Sequence, residues 1–432
     1  MDDSRKPSLR ISSATLILVH IVICCISLVF CAHLHLLGSP FDPKTYHILY
    51  DPAQLHKAII VVAVFSLVSS LFLLAHFSFG YFVGFYFYTM VLGYLWLNCF
   101  SDLHYDHQLA GASAAASAIA FLLPSLFISS PIRQVYVLSP RALEQLLCFI
   151  LLLGALTIGV AASYNFRLVA LENIYDYRDK LEFPTIVGYF VGMASSALLP
   201  FAFACFVTRK DYLRAGAALV LLLLFYPIAL SKLAFFTPLW LIVMVLLSKV
   251  FQTRIAVVLS LLLPTLSGVV FLGFFEIPAQ KYFATVNFRM SAIPSNALDV
   301  YSDFFSKHDL TYFCQISVLK PLMHCPYQEP LSVVMKKAYE LGYLNASLFA
   351  TEGVASVGFL FAPLAVFMCG LVIALGNRLS AGLPPRLVLI SGAVLPQVLV
   401  NVPLSTVLLT HGAGVLFLLW YIMPRQLPEY QK

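Results

Sequence analysis

Charge is scarce in this chain. Asp, Glu, Lys and Arg make up 11% of its 432 residues, where soluble globular domains run at about 25%. So few charges cannot cover an ordinary water-exposed surface. The motifs of soluble enzymes are missing too. There is no phosphate-binding glycine loop, no GxSxG, no HExxH and no CxxC pair. Nucleotide-loop, serine-hydrolase, zinc-peptidase and dithiol chemistry are therefore left without an anchor. Short alternating segments of the kind that build a transmembrane barrel are absent as well. No secretory leader is expected: residues 1–10 are polar and basic, the apolar run after them is too long for a leader, and no small-residue cleavage site follows. They read as a cytoplasmic tail. The net charge of +6 would suggest nucleic acid for a soluble protein. Here its distribution over two faces matters more, and no nucleic-acid partner is expected.

What the chain has in abundance is apolar sequence. It is 61% hydrophobic, with a mean hydropathy of +0.90. A helix of about 20 apolar residues crosses a bilayer, and such stretches recur nearly end to end. The expected fold is an all-α polytopic membrane protein with about 12 spans, at 12–37, 57–79, 81–100, 110–129, 142–164, 184–207, 213–230, 233–249, 255–275, 353–377, 386–402 and 405–423. Residues 57–100 are too long for one crossing, and Gly80 is the expected corner. Between Arg214 and Lys249 the expected breaks are Pro227, Ser231–Lys232 and Pro238. Twelve crossings put both termini on one side. The loops of that side carry about 14 Lys and Arg against about 5 acids, which makes it cytoplasmic. Three parts follow: an N-terminal bundle of about nine spans (1–275), a large non-cytoplasmic loop (276–352), and a C-terminal bundle of about three spans (353–432). The loop contains two amphipathic stretches, 296–306 with Ser295 as N-cap and 331–341 after Pro330. Both are expected along the membrane surface. No internal repeat is evident, which weakens the case for transporter folds built from duplicated halves.

Several constellations could carry chemistry. The outer turn Asp102-Leu-His104-Tyr-Asp106-His107 reads as a solvated polar turn or, less simply, as converging metal ligands. Cys314 and Cys325 share the outer loop, a compartment that permits a disulfide, and are expected either to pair or to remain two thiols. Seven other cysteines fall in spans as packing residues. His20, His76 and His411 are the mid-span titratable groups, read as neutral and hydrogen-bonded. The cations of the outer face run against the positive-inside bias. Among them Arg167, Arg178, Lys232, Lys281 and Arg289 lie near span ends, where they could hold the pyrophosphate of a lipid-linked substrate, Arg in bidentate fashion and Lys as a point charge. The competing reading is that they snorkel or pair with nearby acids. For a proton acceptor the candidates are His308 and Asp309, and Glu352 immediately before a span, where a carboxylate can be desolvated.

From residue 289 onward the sequence resembles the O-antigen polymerase (Wzy-type) family of bacterial membrane polymerases. The pieces that carry this are RMSAIPSNALDVYSDFFSKHDLTYF (289–313), YQEPLSVVMKKAYELGYLNASLFATEGVASVGFLFAP (327–363) and ALSKLAFFTPLW (229–240). Within them, Arg289 stands early in the loop. Tyr301, Asp303, Phe304 and Phe305 match an aromatic Y-x-D-F-F helix, Asn345, Ala346, Phe349, Ala350 and Gly353 the entry into the next span, and Ser231–Lys232 a Ser-Lys pair. The similarity covers about a quarter of the chain, and the N-terminal half matches in span layout alone. It implies a GT-C-like fold in the bacterial inner membrane. It implies transfer of a growing glycan from undecaprenyl pyrophosphate to the terminal sugar hydroxyl of a lipid-linked repeat unit on the periplasmic face. Arg289 would be central in that scheme, with no nucleotide sugar, cofactor or metal. The implied partners are undecaprenyl pyrophosphate-linked oligosaccharide and membrane lipid, with a chain-length regulator and a flippase as further candidates. The alternatives are an O-antigen ligase-like transferase and a transporter or flippase of lipid-linked oligosaccharide.

Overall fold

The computed structural model describes residues 12–33, 45–171, 173–174, 177, 181, 183–274, 282–316 and 319–425. Among these residues the chain is helical throughout, with one isolated antiparallel bridge, Ile48 to Ser101. Ten helices are long and apolar enough to cross a membrane: α1 (Ser13–His33), α2 (Pro52–Leu74), α3 (Phe79–Leu97), α4 (His107–Phe127), α5 (Pro140–Tyr164), α6 (Thr185–Thr208), α7 (Tyr212–Ala229), α8 (Lys232–Val250), α9 (Thr253–Phe274) and, later in the chain, Phe349–Ser380. They make this a multi-pass membrane protein, and they match the first ten expected spans one for one. Between α9 and the last of them lie α10 (284–305) and α11 (Leu331–Tyr339). Phe349–Ser380 is α12.

Several boundaries differ from expectation, each for a local reason. The corner after α2 falls at Ala75–Ser78, and Gly80 lies inside α3. Ser78 is extended and its hydroxyl accepts from the Tyr81 amide at 3.1 Å, so a serine N-cap starts α3. Between α7 and α8 the turn is made at Leu230, which adopts a left-handed conformation at φ 43°. Pro238 lies within α8 and does not end it. The expected spans 386–402 and 405–423 consist of four short helices, α13 (Pro385–Ser391), α14 (Leu395–Leu399), α15 (Leu404–Leu409) and α16 (Ala413–Ile422). Gly392, Pro396, Pro403 and Gly412, the last at φ +75°, interrupt the ladder there.

The chain packs as two compact units that do not follow the three-part division in chain order. One comprises 1–128, 254–374 and 399–404, the other 129–253, 375–398 and 405–432. In the first unit α3 is buried along its whole length. Gly84 lets it approach α4, since a Cβ there would meet the Leu122 side chain at 2.8 Å. In the second unit Glu144 on α5 accepts from Arg209 at 2.8 Å and also pairs with Arg214, tying α5 to the α6–α7 corner.

The long loop 276–352 holds the largest departure. Its helix α10 does not lie on a surface, since residues 294–305 are all buried. Asn287 donates to Ser27 of α1 at 3.1 Å and to the Thr265 carbonyl of α9 at 2.7 Å. Ser295 is no N-cap but sits in mid-helix, donating to the Met90 carbonyl of α3 at 2.9 Å. Residues 284–292 form a π-helix, which gives way to α-helix at Ile293–Pro294, where proline lacks the N–H to continue the wide turns. A polar helix therefore penetrates among the spans of its unit. Most of its buried polar side chains find partners in protein, whereas Asn287 Oδ1 and Asn296 Oδ1 find none among the described residues.

Candidate functional site

At the C-terminal end of α3 the chain turns through residues 98–106, the turn expected from sequence on the outer side, before entering α4. Asp106 caps α4 by accepting from the amides of Gln108 (3.1 Å) and Leu109 (2.9 Å). The turn is pinned from one side by residues 47–49: Leu49 donates to the Phe100 carbonyl at 2.8 Å and Asp102 to the His47 carbonyl at 3.2 Å. From the other side it closes over the C-terminal half of α10. The acids on the contacting face, Asp299 and Asp303, are four residues apart and so lie one helical turn above the other. Both are almost fully buried, at 1% and 4% exposure.

These two carboxylates have opposite surroundings. Asp303 is saturated: Oδ1 accepts from Lys307 Nζ at 2.5 Å and from the His104 amide at 3.1 Å, and Oδ2 from the Tyr339 hydroxyl at 2.6 Å. It is spent on an ion pair with Lys307 and on hydrogen bonds that join α10 to α11 through Tyr339 and to the 98–106 turn through the His104 amide. Asp299 has no cation in contact among the described residues. Ser101 Oγ donates to Oδ2 at 2.6 Å, and the Tyr105 hydroxyl contacts Oδ1. Burial raises its pKa to about 6, although the Ser101 and Tyr105 hydrogen bonds and the charge of His107 pull the other way. A buried acid whose proton affinity is raised toward neutrality is a candidate for acid–base chemistry. Burial and Asp299 together push the Tyr105 hydroxyl well above its ordinary pKa, so it stays a donor. Tyr105 also reaches Asn98 Oδ1 (3.0 Å) and the Tyr94 hydroxyl (3.3 Å). Tyr94 and Ser302 in turn line a small cavity with Ser113 and Ser117 of α4. Its volume is about 10 Å³, roughly the room for one water.

The residues singled out from sequence are distributed as follows. Arg289 is half-buried in the π-helical part of α10, two to three turns before Asp299. Glu352 is buried at 7% exposure in a second π-helical stretch, Phe349–Val354, which packs against α10. The Thr351 hydroxyl donates to its Oε2 at 2.5 Å. Arg289, Glu352 and Asp299 thus belong to one unit, two of them on π-turns, a form concentrated at functional sites. His308 and Asp309 follow α10 and are exposed. His308 folds back on its own helix, its ring stacked 4.0 Å from Phe304 and its Nδ1 against the Phe304 carbonyl at 2.8 Å. Asp309 contributes its carbonyl to the Tyr327 hydroxyl at 2.7 Å. Both serve the loop more visibly than any reaction. Beyond them, Thr311 and Tyr312 donate to the carbonyls of Ala355 and Ser356, which are freed by the kink of α12 at Gly358 (φ +71°).

Arg167 and Lys232 belong to the second unit. The Arg167 amide donates to the Pro227 carbonyl at 2.9 Å, and Asn165 donates to the Ile228 carbonyl at 2.9 Å. Arg167 is therefore anchored on the same 226–231 turn that Lys232 follows. Its guanidinium is exposed and lies 5.7 Å from the Tyr177 ring centroid. Arg178 and Lys281 lie outside the described residues. Cys314 and Cys325 are joined as a disulfide with a Cα–Cα distance of 5.3 Å. Of the three histidines expected in mid-span, His20 lies within α1 and bonds Thr89 at 2.9 Å, His411 lies in the break between α15 and α16 and bonds Ser196 at 3.2 Å, and His76 is exposed in the corner after α2, where the helix has already ended.

The outer turn itself is not a convergent ligand set. His47 is paired with Asp102 at 2.9 Å, His104 Nδ1 faces the Asp102 carbonyl, Asp106 is a cap, and both nitrogens of His107 face oxygens of Asn98 and Leu103. Among the described residues no group of three or more His, Cys, Asp or Glu side chains is arranged to hold a metal ion. Reading the sequence singled out this turn and Asp303, but not Asp299. The available signal was the i, i+4 acid pair on the buried face of 296–306, opposite a turn rich in His and Tyr. No protein-family model, no curated protein and no solved structure matches this chain.

Proposed function

We propose that the chain is a membrane glycan transferase, a polymerase of bacterial surface or exopolysaccharide resembling the Wzy type. It would have about twelve crossings, a GT-C-like arrangement and cytoplasmic termini in the inner membrane. The observation that carries the reading is α10: one helix inserted among spans, bearing a half-buried Arg289 and, ten residues on, a buried carboxylate with near-neutral proton affinity. Ten residues rise about 15 Å along a helix. Direct displacement at a sugar carbon puts the leaving group and the base on opposite faces of the ring, and separated sites on one helix suit that need. The acceptor hydroxyl oxygen bonds to the anomeric carbon as the bond from that carbon to the pyrophosphate oxygen breaks. The lipid pyrophosphate leaves with the electron pair, and the hydroxyl proton passes to Asp299. Arg289 stabilises the charge on the leaving pyrophosphate. Glu352 is a further group of this scheme, while Arg167 and Lys232, the pyrophosphate contacts expected from sequence, share one turn of the second unit.

The test is the polymer itself. Arg289→Ala and Asp299→Asn are each expected to abolish long-chain product and accumulate single repeat units while the protein still inserts. An undiminished ladder in either variant removes that residue from the reaction. Lys232→Ala tests a second phosphate contact in the same way.

A second reading has one observation in its favour. Asp299, Asp303 and Glu352 are buried within the first unit, and buried ionisable groups of membrane proteins also mark transport paths. A transporter or flippase of lipid-linked oligosaccharide would, on deletion of the gene, leave those units trapped at the cytoplasmic face. A polymerase would leave them exported and unjoined. A ligase would leave finished polymer still joined to its lipid pyrophosphate carrier.

A further inference from the structure

Hydrogen-bond accounting around Asp299 leads further. His107 places Nε2 at 2.9 Å from the Leu103 carbonyl and Nδ1 at 2.6 Å from Asn98 Oδ1. The Asn98 amide cannot be turned to offer its nitrogen instead, because Nδ2 already donates to the His107 carbonyl at 2.8 Å. Both ring nitrogens therefore face pure acceptors, and only the imidazolium form, with two N–H groups, satisfies both. A positive charge is thereby held one amide away from Asp299. The Tyr105 hydroxyl has a single hydrogen but faces two acceptors, Asn98 Oδ1 and Asp299 Oδ1. It can serve both contacts only if Asp299 carries the second hydrogen.

We propose that Tyr105 and His107 are positioning residues that hold Asp299 in either of two hydrogen-bonded states on one fixed frame. With Asp299 as carboxylate, Tyr105 donates to it and Asn98 keeps the His107 proton. When Asp299 accepts a proton, the new O–H donates to the Tyr105 oxygen, and Tyr105 turns its own hydrogen to Asn98. One O–H bond forms at Asp299, no heavy atom moves, and the site gains one positive charge. Ser101 donates to the other carboxylate oxygen in both states. The proposal rests on the polymerase reading only in giving this exchange a use, the uptake of an acceptor's proton. The two states follow from the contacts alone.

Other titratable groups lie on the elements packed around Asp299. Asp303 and Lys307 lie on its own helix and the following turn, Tyr94 on α3, Asp102 and His104 in the 98–106 turn, His47 beside that turn, Tyr339 on α11, and Glu352 on the first turns of α12, which pack against α10. Asp303 is paired with Lys307, and among the described residues His107 is the cation whose charge favours the Asp299 carboxylate.

The test reads the carboxyl group directly. The purified full chain in lipid nanodiscs is titrated by infrared spectroscopy, and the Asp299 carboxylic C=O band is assigned by its absence from Asp299→Asn. The wild-type band is expected to bleach with a midpoint near pH 6. Tyr105→Phe removes a donor to the carboxylate and His107→Gln removes the charge. Each is expected to raise the midpoint by about one pH unit or more. Ser302→Ala, which does not touch Asp299, leaves it in place. Thermal melts select variants that remain folded, and Asn98→Asp, which keeps the oxygen and volume, serves where Tyr105→Phe does not fold. It adds a negative charge beside Asp299 and also raises the midpoint. Folded Tyr105→Phe and His107→Gln proteins with the wild-type midpoint would overturn the proposal. So would a wild-type band that titrates as an ordinary exposed aspartate. No polymer synthesis enters the readout, so an intact polymer ladder in Asp299→Asn would sink the polymerase reading and leave these two states standing.

Discussion

Asp299 makes the first unit's stability depend on pH in a direction opposite to that of most carboxylates. Its affinity for a proton is higher in the folded protein, at a pKa of about 6, than in an unfolded chain near 3.8. Between those values the folded state holds more protons, so raising the pH through this window costs stability. Above about pH 6 the full penalty is present, about 3 kcal/mol from the separation of the two values. Asp299→Asn, which mimics the protonated side chain at nearly the same volume, is therefore expected to melt at a higher temperature than wild type at pH 7.5. The two proteins should converge near pH 4. Scanning fluorimetry in detergent across that range checks this, and a constant difference at all pH values would show that Asp299 does not titrate as described. A residue that lowers stability where it stands while holding a near-neutral proton is the expected signature of a site kept for chemistry.

At the level of elements, α10 is held by close approach. A Cβ on Gly268 of α9 would collide with Asn287 Oδ1, and one on Gly93 of α3 would lie 2.5 Å from Ser295 Oγ. Gly268→Ala is expected to destabilise by about 2 kcal/mol or more through overpacking. Gly273→Ala, on the same helix and with nothing within 4 Å, should be neutral or slightly stabilising. Equal melting temperatures for the two variants would mean that α10 is not lodged against α9. This element also shows where sequence reading runs out. The extents of α1 to α9 are legible because each is a continuous apolar run bounded by charge, proline or a cap. The 284–305 segment is not, because Asn287, Arg289, Ser291, Ser295, Asn296, Asp299, Ser302 and Asp303 give it the polarity of a surface helix. Their partners are Ser27, the Thr265, Met90 and Tyr46 carbonyls, Ser101 and Lys307. Most of these are distant in sequence, so no pattern within the segment could reveal that it is buried. Gly80 is misleading as the corner after α2 for a related reason. A glycine tolerates a corner anywhere, but the serine cap two residues earlier decides where the ladder restarts. Asp299 escapes notice since an acid pair at i, i+4 reads equally well as a solvated face until the outer turn is seen to cover it.

For the whole molecule, the undecided question is how the chain crosses the membrane after α12. Ten long helices account for the chain up to Ser380. The remaining apolar stretch is divided among α13 to α16, none long enough alone to cross about 30 Å of hydrocarbon at 1.5 Å per residue. Interrupted helices can still cross in pairs when other protein satisfies the broken backbone. Several contacts within the second unit do this: Trp240 donates to the Ala393 carbonyl at 3.0 Å, Trp420 to Ser391 Oγ at 3.0 Å, and Gln134 to the Met423 carbonyl at 2.8 Å. Ten crossings and twelve both return the terminus to the starting side, so a terminal reporter cannot tell them apart. The connection between α14 and α15 can. If 385–399 and 404–422 each cross, residues 400–403 are exposed on the outer face. If neither crosses, they share a side with Arg386 and Arg425, the side rich in Lys and Arg that is proposed as cytoplasmic. A short epitope inserted after Val402 is expected to bind antibody on intact spheroplasts, and one inserted at Ala381 only after permeabilisation. Binding at both sites solely after permeabilisation would leave ten crossings, and would remove the last two from the architecture on which the glycan-transferase reading rests.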